Sequence, residues 1–154
     1  MDNSANIKLC VRSIWTCTWK IHGELSLIII QLHSLAYDPE TGSIGEREVF
    51  VSMLPEWGRP DGGATDEEGC YWNCGVSAGR LNRFSRDGEL IEYVELPVTH
   101  PTMPCFGGPD RRTLYVTSLR ENLSAAELAR TPQAGGVFML EPGVAGAPAA
   151  LYKG

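Results

Sequence analysis

Acidic side chains beside glycine are the first residues in this chain that could do chemistry. A carboxylate can bind a hard divalent cation, and it can move a proton during the hydrolysis of an ester. Asp61 lies in the sequence Pro-Asp-Gly, Asp66 begins Asp-Glu-Glu-Gly, and Asp87 lies in Arg-Asp-Gly. Aspartate before glycine is also typical of tight turns, because its side chain accepts hydrogen bonds from the backbone that follows. On these patterns alone, all three positions are predicted to be turns.

Thiols and imidazoles give no recognisable site in the sequence. The five cysteines are an odd number, so they cannot all pair in disulfides. Cys70 and Cys74 are four residues apart, and no second pair at zinc-ligand spacing follows them. Free thiols in a reducing, cytoplasmic compartment are therefore expected. We expect Cys105 to be a buried and inert thiol on a strand, and His100 to lie in a surface loop.

Composition and charge exclude several classes of protein. The chain has 154 residues, of which 43% are hydrophobic and 21% charged, so it can fold around an apolar core. A formal net charge of −6 argues against binding to nucleic acid. The longest apolar run, residues 25–30, is far too short to span a bilayer, and the first residues lack the features of a signal peptide. We therefore expect neither nucleic acid nor a membrane as partner.

Short strands separated by turns are predicted for most of the chain. The 17 glycines and 10 prolines favour turn-rich β structure. The pair Asp87-Gly88 between two apolar segments is a strong hairpin signal. Ser124 and Glu127 fit a capping box, which predicts one short helix in a loop, ended by a proline at 132. The predicted fold class is all-β with this single helix, and the strands are expected at residues 35–37, 48–53, 70–74, 81–85, 90–96, 113–118, 136–140 and 149–153.

A repeat of about 45 residues suggests how the strands are arranged. Residues 37–42 are echoed by 84–88, residues 71–72 by 114–115, and residues 79–81 by 135–137. Four strands in such a period are typical of a β-propeller blade, although a β-sandwich also has evenly spaced strands. We predict a partial propeller of about two and a half blades over residues 34–154. Residues 1–33 do not fit the repeat and stay an unassigned N-terminal extension, with two interpretations open: an unrelated segment or the product of a disrupted reading frame.

Several motifs in a fixed order resemble one known family. They are Gly-Arg-Pro-Asp-Gly at 58–62, Asp-Glu-Glu-Gly-Cys-Tyr-Trp at 66–72, Gly-Arg-Leu-Asn-Arg-Phe at 79–84, Pro-Thr-Met-Pro-Cys-Phe-Gly-Gly at 101–108 and Pro-Gln-Ala-Gly-Gly-Val-Phe at 132–138. The chain resembles the senescence-marker-protein, gluconolactonase and luciferin-regenerating-enzyme family over about residues 36–154. That stretch corresponds to roughly the C-terminal half of a member. Because the motifs occur together and in order, the resemblance is specific.

The resemblance implies a six-bladed propeller with one divalent cation, such as calcium, zinc or manganese, in its central channel. It also implies a small sugar lactone as substrate, hydrolysed to an aldonic acid. Asp61 matches the aspartate of the family's Pro-Asp-Gly motif, which implies that it is both a metal ligand and the catalytic group that accepts or donates a proton. Gly62 and Gly63, which follow it, are expected to let the backbone turn sharply. The family's glutamate and asparagine ligands have no match, since Glu24 and Asn6 stand outside its motifs.

Two functions from different classes follow from these observations. The first is a metal-dependent sugar lactone hydrolase, or the C-terminal piece of one. The second is a non-catalytic or degenerate propeller fragment without a complete metal site, because a single carboxylate binds a divalent cation weakly. Tight metal binding would make Glu24, Asn82 and His100 the residues to reconsider as ligands. The open edges of a partial propeller also predict self-association.

Overall fold

The computed structural model describes residues 16–19, 28–38 and 40–149. These residues form mostly β-sheet, with one α-helix among them, which confirms the prediction of β structure with a single short helix. The chain divides into two compact units, Met1–Ser52 and Met53–Gly154. The assignment of residues 1–33 as a separate extension stays a prediction, and one strand of the first unit runs through residue 34.

The first unit contains a three-stranded antiparallel sheet. Its strands pair in the order β1-β2-β3. The turn between β2 and β3 is stabilised by Asp38, whose Oδ1 accepts the backbone N–H of Glu40 and whose Oδ2 accepts the hydroxyl of Thr41 at 2.6 Å. These hydrogen bonds lower the pKa of Asp38, that of Thr41 contributing most. The strands are β1 (Thr16–Trp19), β2 (Ile28–Tyr37) and β3 (Ile44–Ser52).

The second unit contains two antiparallel sheets, each a simple up-and-down meander. A short 3₁₀ turn, Pro55–Trp57, leads into the first of them. The first sheet has the order β4-β5-β6-β7 and the second the order β8-β9-β10. The strands are β4 (Arg59–Thr65), β5 (Tyr71–Val76), β6 (Arg80–Phe84), β7 (Leu90–Glu95), β8 (Pro101–Gly107), β9 (Thr113–Ser118) and β10 (Val137–Leu140).

Strands that echo each other in sequence occupy equivalent places in the two sheets. β5 and β9 carry one pair of echoed segments, and each is the second strand of its sheet. β6 and β10 carry another pair, and each is the third strand. The helix α1 (Ala125–Arg130) lies in the connection between β9 and β10, where it was expected as an insertion. The repeat therefore corresponds to a repeated arrangement of strands.

The core of the second unit lies between its two sheets. Trp72 and Leu81 from the first sheet pack against Leu114 and Val116 from the second, and all four are fully buried. The ring of Phe106 meets that of Trp72 edge to face at 6.3 Å between centroids. β9 alternates between buried and exposed residues, the pattern of a strand covered on one face, whereas β5 is buried along both faces from Trp72 to Val76. β5, which contributes Trp72 to this core, pairs with β4, the strand that carries Asp61.

Local signals in the loops are confirmed in detail. The Asp87-Gly88 turn joins β6 to β7, and Gly88 takes a φ of 83°. Both hydrogen bonds of the capping box form: Ser124 Oγ accepts the N–H of Glu127, and Glu127 Oε2 accepts the N–H of Ser124. The strand expected at 149–153 lies almost wholly outside the described residues. Within the described part of the chain, no helix is both long and apolar enough to cross a membrane.

Candidate functional site

Asp61 lies at a β-bulge on β4. Pro60 pairs with Gly75 of β5 and Gly63 pairs with Asn73, so that two residues of β4 stand opposite Cys74 alone. A bulge of this kind changes the direction of a side chain and recurs next to active sites. The Asp61 side chain is half-buried there.

The two glycines after Asp61 make room for neighbouring strands. A Cβ on Gly62 would lie 2.7 Å from the carbonyl oxygen of Thr102 on β8, and a Cβ on Gly63 would collide with the hydroxyl of Tyr71. Neither glycine has a positive φ, and β4 continues through both. The expectation of a sharp turn at Gly62 and Gly63 is therefore wrong. These positions need glycine for close approach.

The negative charge of Asp61 acts on the buried thiol of Cys74. Burial, and to a smaller extent the charge of Asp61, raise the pKa of Cys74 to about 12. The thiol therefore stays protonated at neutral pH and is not a nucleophile or a thiolate ligand. Among the described residues, the Asp61 carboxylate accepts no hydrogen bond and forms no ion pair. No described residue therefore occupies either oxygen of this carboxylate.

Asp66, by contrast, is fully engaged within the protein. Its Oδ1 accepts the backbone N–H groups of Glu68 and Cys70, at 3.0 and 2.9 Å. Its Oδ2 accepts the indole N–H of Trp72 at 3.0 Å and two N–H groups of Arg83 at 2.9 and 2.7 Å. The predicted turn role is confirmed, and the five donors make Asp66 a structural residue.

A cluster of Asp66, Glu68 and Cys70 has ligand atoms within 4.8 Å of one another. It does not fit a metal ion. Asp66 already accepts five hydrogen bonds, and Glu68 forms an ion pair with Arg83 at 2.7 Å. Burial, followed by the charge of Asp66, raises the pKa of Cys70, which keeps the thiol protonated. This cluster is an ion-pair network around a turn.

Asp61 is therefore a candidate ligand for a divalent cation. Among the described residues, no group of histidine, cysteine and carboxylate side chains completes a site with it. A divalent cation takes several protein oxygens. The amide of Asn82 is engaged on both sides, since its Oδ1 accepts Arg80 Nε at 2.6 Å and its Nδ2 donates to a backbone oxygen. The Nδ1 atom of His100 lies 2.7 Å from the Thr99 hydroxyl. Glu24 and Asn6 lie outside the described residues.

Other predicted positions have mixed outcomes. Cys105 is exposed, so the expectation of a buried thiol is wrong: its neighbour Pro104 faces the interior of the unit, and alternation along β8 turns Cys105 outward. His100 directly precedes β8 and is half-buried, not fully on the surface. Asp87 is exposed in its turn.

Of two buried asparagines in this region, the sequence analysis missed Asn73 and named Asn82 only as a ligand to reconsider. Asn73 and Asn82 are fully buried and pair across β5 and β6. Asparagine is uncommon inside strands, and its occurrence in two consecutive predicted strands was the available signal.

Comparison with known proteins identifies the family. A model of the SMP-30/gluconolactonase/LRE-like region matches residues 30–120, more than half of the chain. The matched segment contains Asp61 and most strands of the second unit. The chain belongs to the SMP-30/gluconolactonase/LRE-like family, which confirms the resemblance seen in its motifs.

Individual relatives agree with this assignment. The chain is 40% identical over 137 residues to 6-deoxy-6-sulfogluconolactonase of Pseudomonas putida, covering 88% of this chain and 46% of that protein. It is 34% identical over 142 residues to regucalcin of Oryctolagus cuniculus, covering 91% and 48%. The crystal structure of the calcium-binding protein regucalcin from Agrobacterium tumefaciens has a TM-score of 0.73 at 36% identity, over 80% of this chain and 42% of that one.

The alignments also show how much of the relatives and how much of this chain the similarity covers. The chain spans about half the length of the curated relatives that it matches. A coverage of 91% also exceeds what residues 34–154 alone could supply, so the similarity extends into residues 1–33. The repeat pattern of the sequence gave no sign of that extension.

Proposed function

We propose that this chain is part of a divalent-metal-dependent sugar lactone hydrolase, and that Asp61 is both a metal ligand and the group that moves the proton. Membership of the family and the similarity to 6-deoxy-6-sulfogluconolactonase support the substrate class. The role of Asp61 is supported by the surroundings of its carboxylate. Asp61 is half-buried at a bulge and has no partner among the described residues.

Lactone hydrolysis needs a carboxylate whose oxygens can accept a proton from water. In lactone hydrolysis, a water oxygen bonds to the carbonyl carbon while Asp61 accepts a proton from that water. The ring C–O bond then breaks, and the proton passes to the ring oxygen, which becomes a hydroxyl group of the open acid. A divalent cation, when bound, polarises the carbonyl group. Among the described residues, no second carboxylate, histidine or cysteine belongs to a metal-binding group with Asp61.

The proposal includes the fold that would surround this site. The sheets β4–β7 and β8–β10 would be blades of a six-bladed propeller, with the inner strands β4 and β8 facing a central channel. Support comes from the equivalent positions of the echoed strands and from the similarity to a regucalcin structure. In such a ring, Asp61 on the innermost strand of its blade would face the channel.

The test is hydrolysis of gluconolactone by the protein with calcium, zinc or manganese. We expect metal-dependent activity that Asp61→Ala abolishes and that Asp87→Ala leaves unchanged. Asp87 is a matched control because it is an exposed carboxylate in a turn of the same sheet. Equal activity in the protein and in both variants would contradict the role of Asp61.

A second candidate function is a non-catalytic propeller fragment. It is favoured by one observation: among the described residues, no group of three histidine, cysteine or carboxylate side chains at metal-ligand distances includes Asp61. This candidate predicts no metal-dependent hydrolysis in the unmodified protein, and equally weak binding of manganese by the protein and by Asp61→Ala.

A further inference from the structure

Two buried side-chain amides hold the backbone on either side of Asp61. The Nδ2 atom of Asn82 donates to the carbonyl oxygen of Trp57 at 2.9 Å, four residues before Asp61. The Nδ2 atom of Asn73 donates to the carbonyl oxygen of Gly62 at 3.4 Å, one residue after it. Both asparagines are fully buried and lie directly opposite each other on neighbouring strands. The segment with the bulge is therefore tied to the centre of the sheet at both ends.

The orientation of the Asn82 amide is itself fixed. Its Oδ1 accepts the Nε–H group of Arg80 at 2.6 Å, so that its Nδ2 must face Trp57. The same guanidinium donates through Nη1 to the carbonyl oxygen of Glu56 at 3.4 Å and lies 3.8 Å from the ring centroid of Tyr93. Arg80 and Asn82 thus anchor the two consecutive carbonyl groups of the 3₁₀ turn that precedes β4.

The 3₁₀ turn packs closely against β5, which restricts the position of the backbone before Asp61. A Cβ on Gly75 would collide with the carbonyl oxygen of Trp57 and would lie 3.1 Å from the Nδ2 atom of Asn82. Gly58, next in the chain, has a φ of 77°, and a Cβ there would lie 2.7 Å from the Val76 carbonyl oxygen. The backbone before Asp61 can therefore occupy only a narrow range of positions.

Stability alone does not account for these amides. A buried amide is unfavourable unless its hydrogen bonds are satisfied, and the Oδ1 atom of Asn73 has no partner. An apolar side chain of similar size, such as leucine, would avoid this orphaned oxygen. What an apolar residue could not do is donate to the Gly62 carbonyl beside Asp61.

We infer that Asn73 and Asn82 are positioning residues that fix the direction of the Asp61 carboxylate by holding the backbone around its bulge. This inference rests on the proposed function of Asp61 as the proton-moving ligand. Misplacement of a reacting group by about 1 Å can lower a rate by about a hundredfold. Loss of either amide donor should therefore affect catalysis more than it affects folding.

The experiment compares Asn73→Leu with Val116→Ala in the hydrolysis of gluconolactone with manganese. Asn73→Leu removes the orphaned oxygen but also leaves the Gly62 carbonyl without its donor, so we expect the two effects to offset and the melting temperature to change little. We expect kcat to fall about tenfold to a hundredfold with KM changed less than about twofold. Val116→Ala opens a space in the core on β9, a strand that does not pair with β4, and should lower the melting temperature while kcat is retained. An unchanged kcat in Asn73→Leu would overturn the inference.

A second readout separates this inference from the proposed function. Amide NMR signals of Asp61, Gly62 and Gly63 are recorded for the unmodified protein, Asn73→Leu and Val116→Ala. We expect Asn73→Leu to shift or broaden these three signals more than those of β9, and Val116→Ala to do the reverse. If the unmodified protein has no lactonase activity, the proposed function fails, and this pattern alone decides the inference. Signals of Asp61–Gly63 that are unchanged in Asn73→Leu would overturn it.

Discussion

Asp61 and Asp66 are the same residue type, five positions apart, and their surroundings give them opposite properties. Asp66 is fully buried and accepts five hydrogen bonds, two of them from the backbone of its own turn. Asp61 is half-buried and has no partner among the described residues. A carboxylate with all its acceptor sites occupied stabilises the fold, whereas one with free oxygens is ready for a ligand. The difference lies in the residues that each side chain meets.

Replacement of Arg83, whose positive charge pairs with Asp66, should lower the free energy of unfolding. The Asp66 side chain is fully buried and that of Arg83 is only 12% exposed, so Arg83→Ala leaves a buried charge without its counterion. We expect the free energy of unfolding to fall by about 3–5 kcal/mol, measured by urea denaturation. Arg112→Ala is the control, because that side chain is 54% exposed and pairs with Glu67 at 3.5 Å. The control should lose less than about 1 kcal/mol, and equal losses would contradict the assignment.

The buried thiol of Cys74 should make stability fall at alkaline pH. Its pKa is raised from an ordinary value of 9.0 to about 12, first by burial and then by the charge of Asp61. The folded state therefore holds this proton more tightly than the unfolded state. The corresponding stabilisation is complete below pH 9.0 and is lost as the pH rises toward 12. Urea denaturation on either side of pH 9.0 should show a shallower decline in Cys74→Ala than in the exposed control Cys105→Ala. Identical slopes would contradict this account.

At the scale of elements, the sequence predicts what a few neighbouring residues determine. The hairpin at Asp87-Gly88 and the helix capped by Ser124 depend on contacts within four residues, and both are confirmed. The bulge at Asp61 depends on hydrogen bonds between distant residues, such as Asn82 and Trp57, which are 25 positions apart. No local pattern contains that information. The family motif located the candidate carboxylate, but only the register of β4 and β5 shows how it is presented.

The capping box should control the local stability of α1. Hydrogen bonds from the side chain and backbone of Ser124 lower the pKa of Glu127. A lowered pKa means that this stabilisation is present above the ordinary value of 4.5 and is lost as the pH falls below it. We expect Ser124→Ala to speed amide hydrogen exchange in residues 125–130 at neutral pH, with little change in β5 or β9. Ser124→Thr retains the hydroxyl and should exchange slowly. Equally fast exchange in both variants would contradict the role of the cap.

At the scale of the whole molecule, strands at the edges of the sheets expose apolar side chains. Within the described part of the chain, β10 lies at one edge of its sheet, and its Val137 and Met139 are 65% and 70% exposed. Among the same residues, β7 lies at an edge of the other sheet and exposes Ile91 and Tyr93. Unpaired strand edges with apolar side chains favour pairing with another chain. The expectation of self-association thus has specific surfaces to which it applies.

Sedimentation velocity at several concentrations tests that expectation. We expect the protein to associate, and the double variant Val137→Lys/Met139→Lys to associate less, because charges on an edge strand oppose strand pairing. Leu119→Lys is the control, since Leu119 is 39% exposed in a loop and lies on no strand edge. A stable monomer at all concentrations would contradict the prediction.

The most direct test of the central claim, that Asp61 is a metal ligand, is calorimetric titration with manganese. The unmodified protein, Asp61→Ala and Asp87→Ala are titrated under the same conditions. Two free carboxylate oxygens at a half-buried bulge predict that Asp61→Ala binds manganese at least about tenfold more weakly than the unmodified protein. Asp87→Ala, which removes an exposed turn carboxylate of the same charge, should bind as the unmodified protein does. Equal affinities in all three proteins would show that Asp61 is not a metal ligand in this chain.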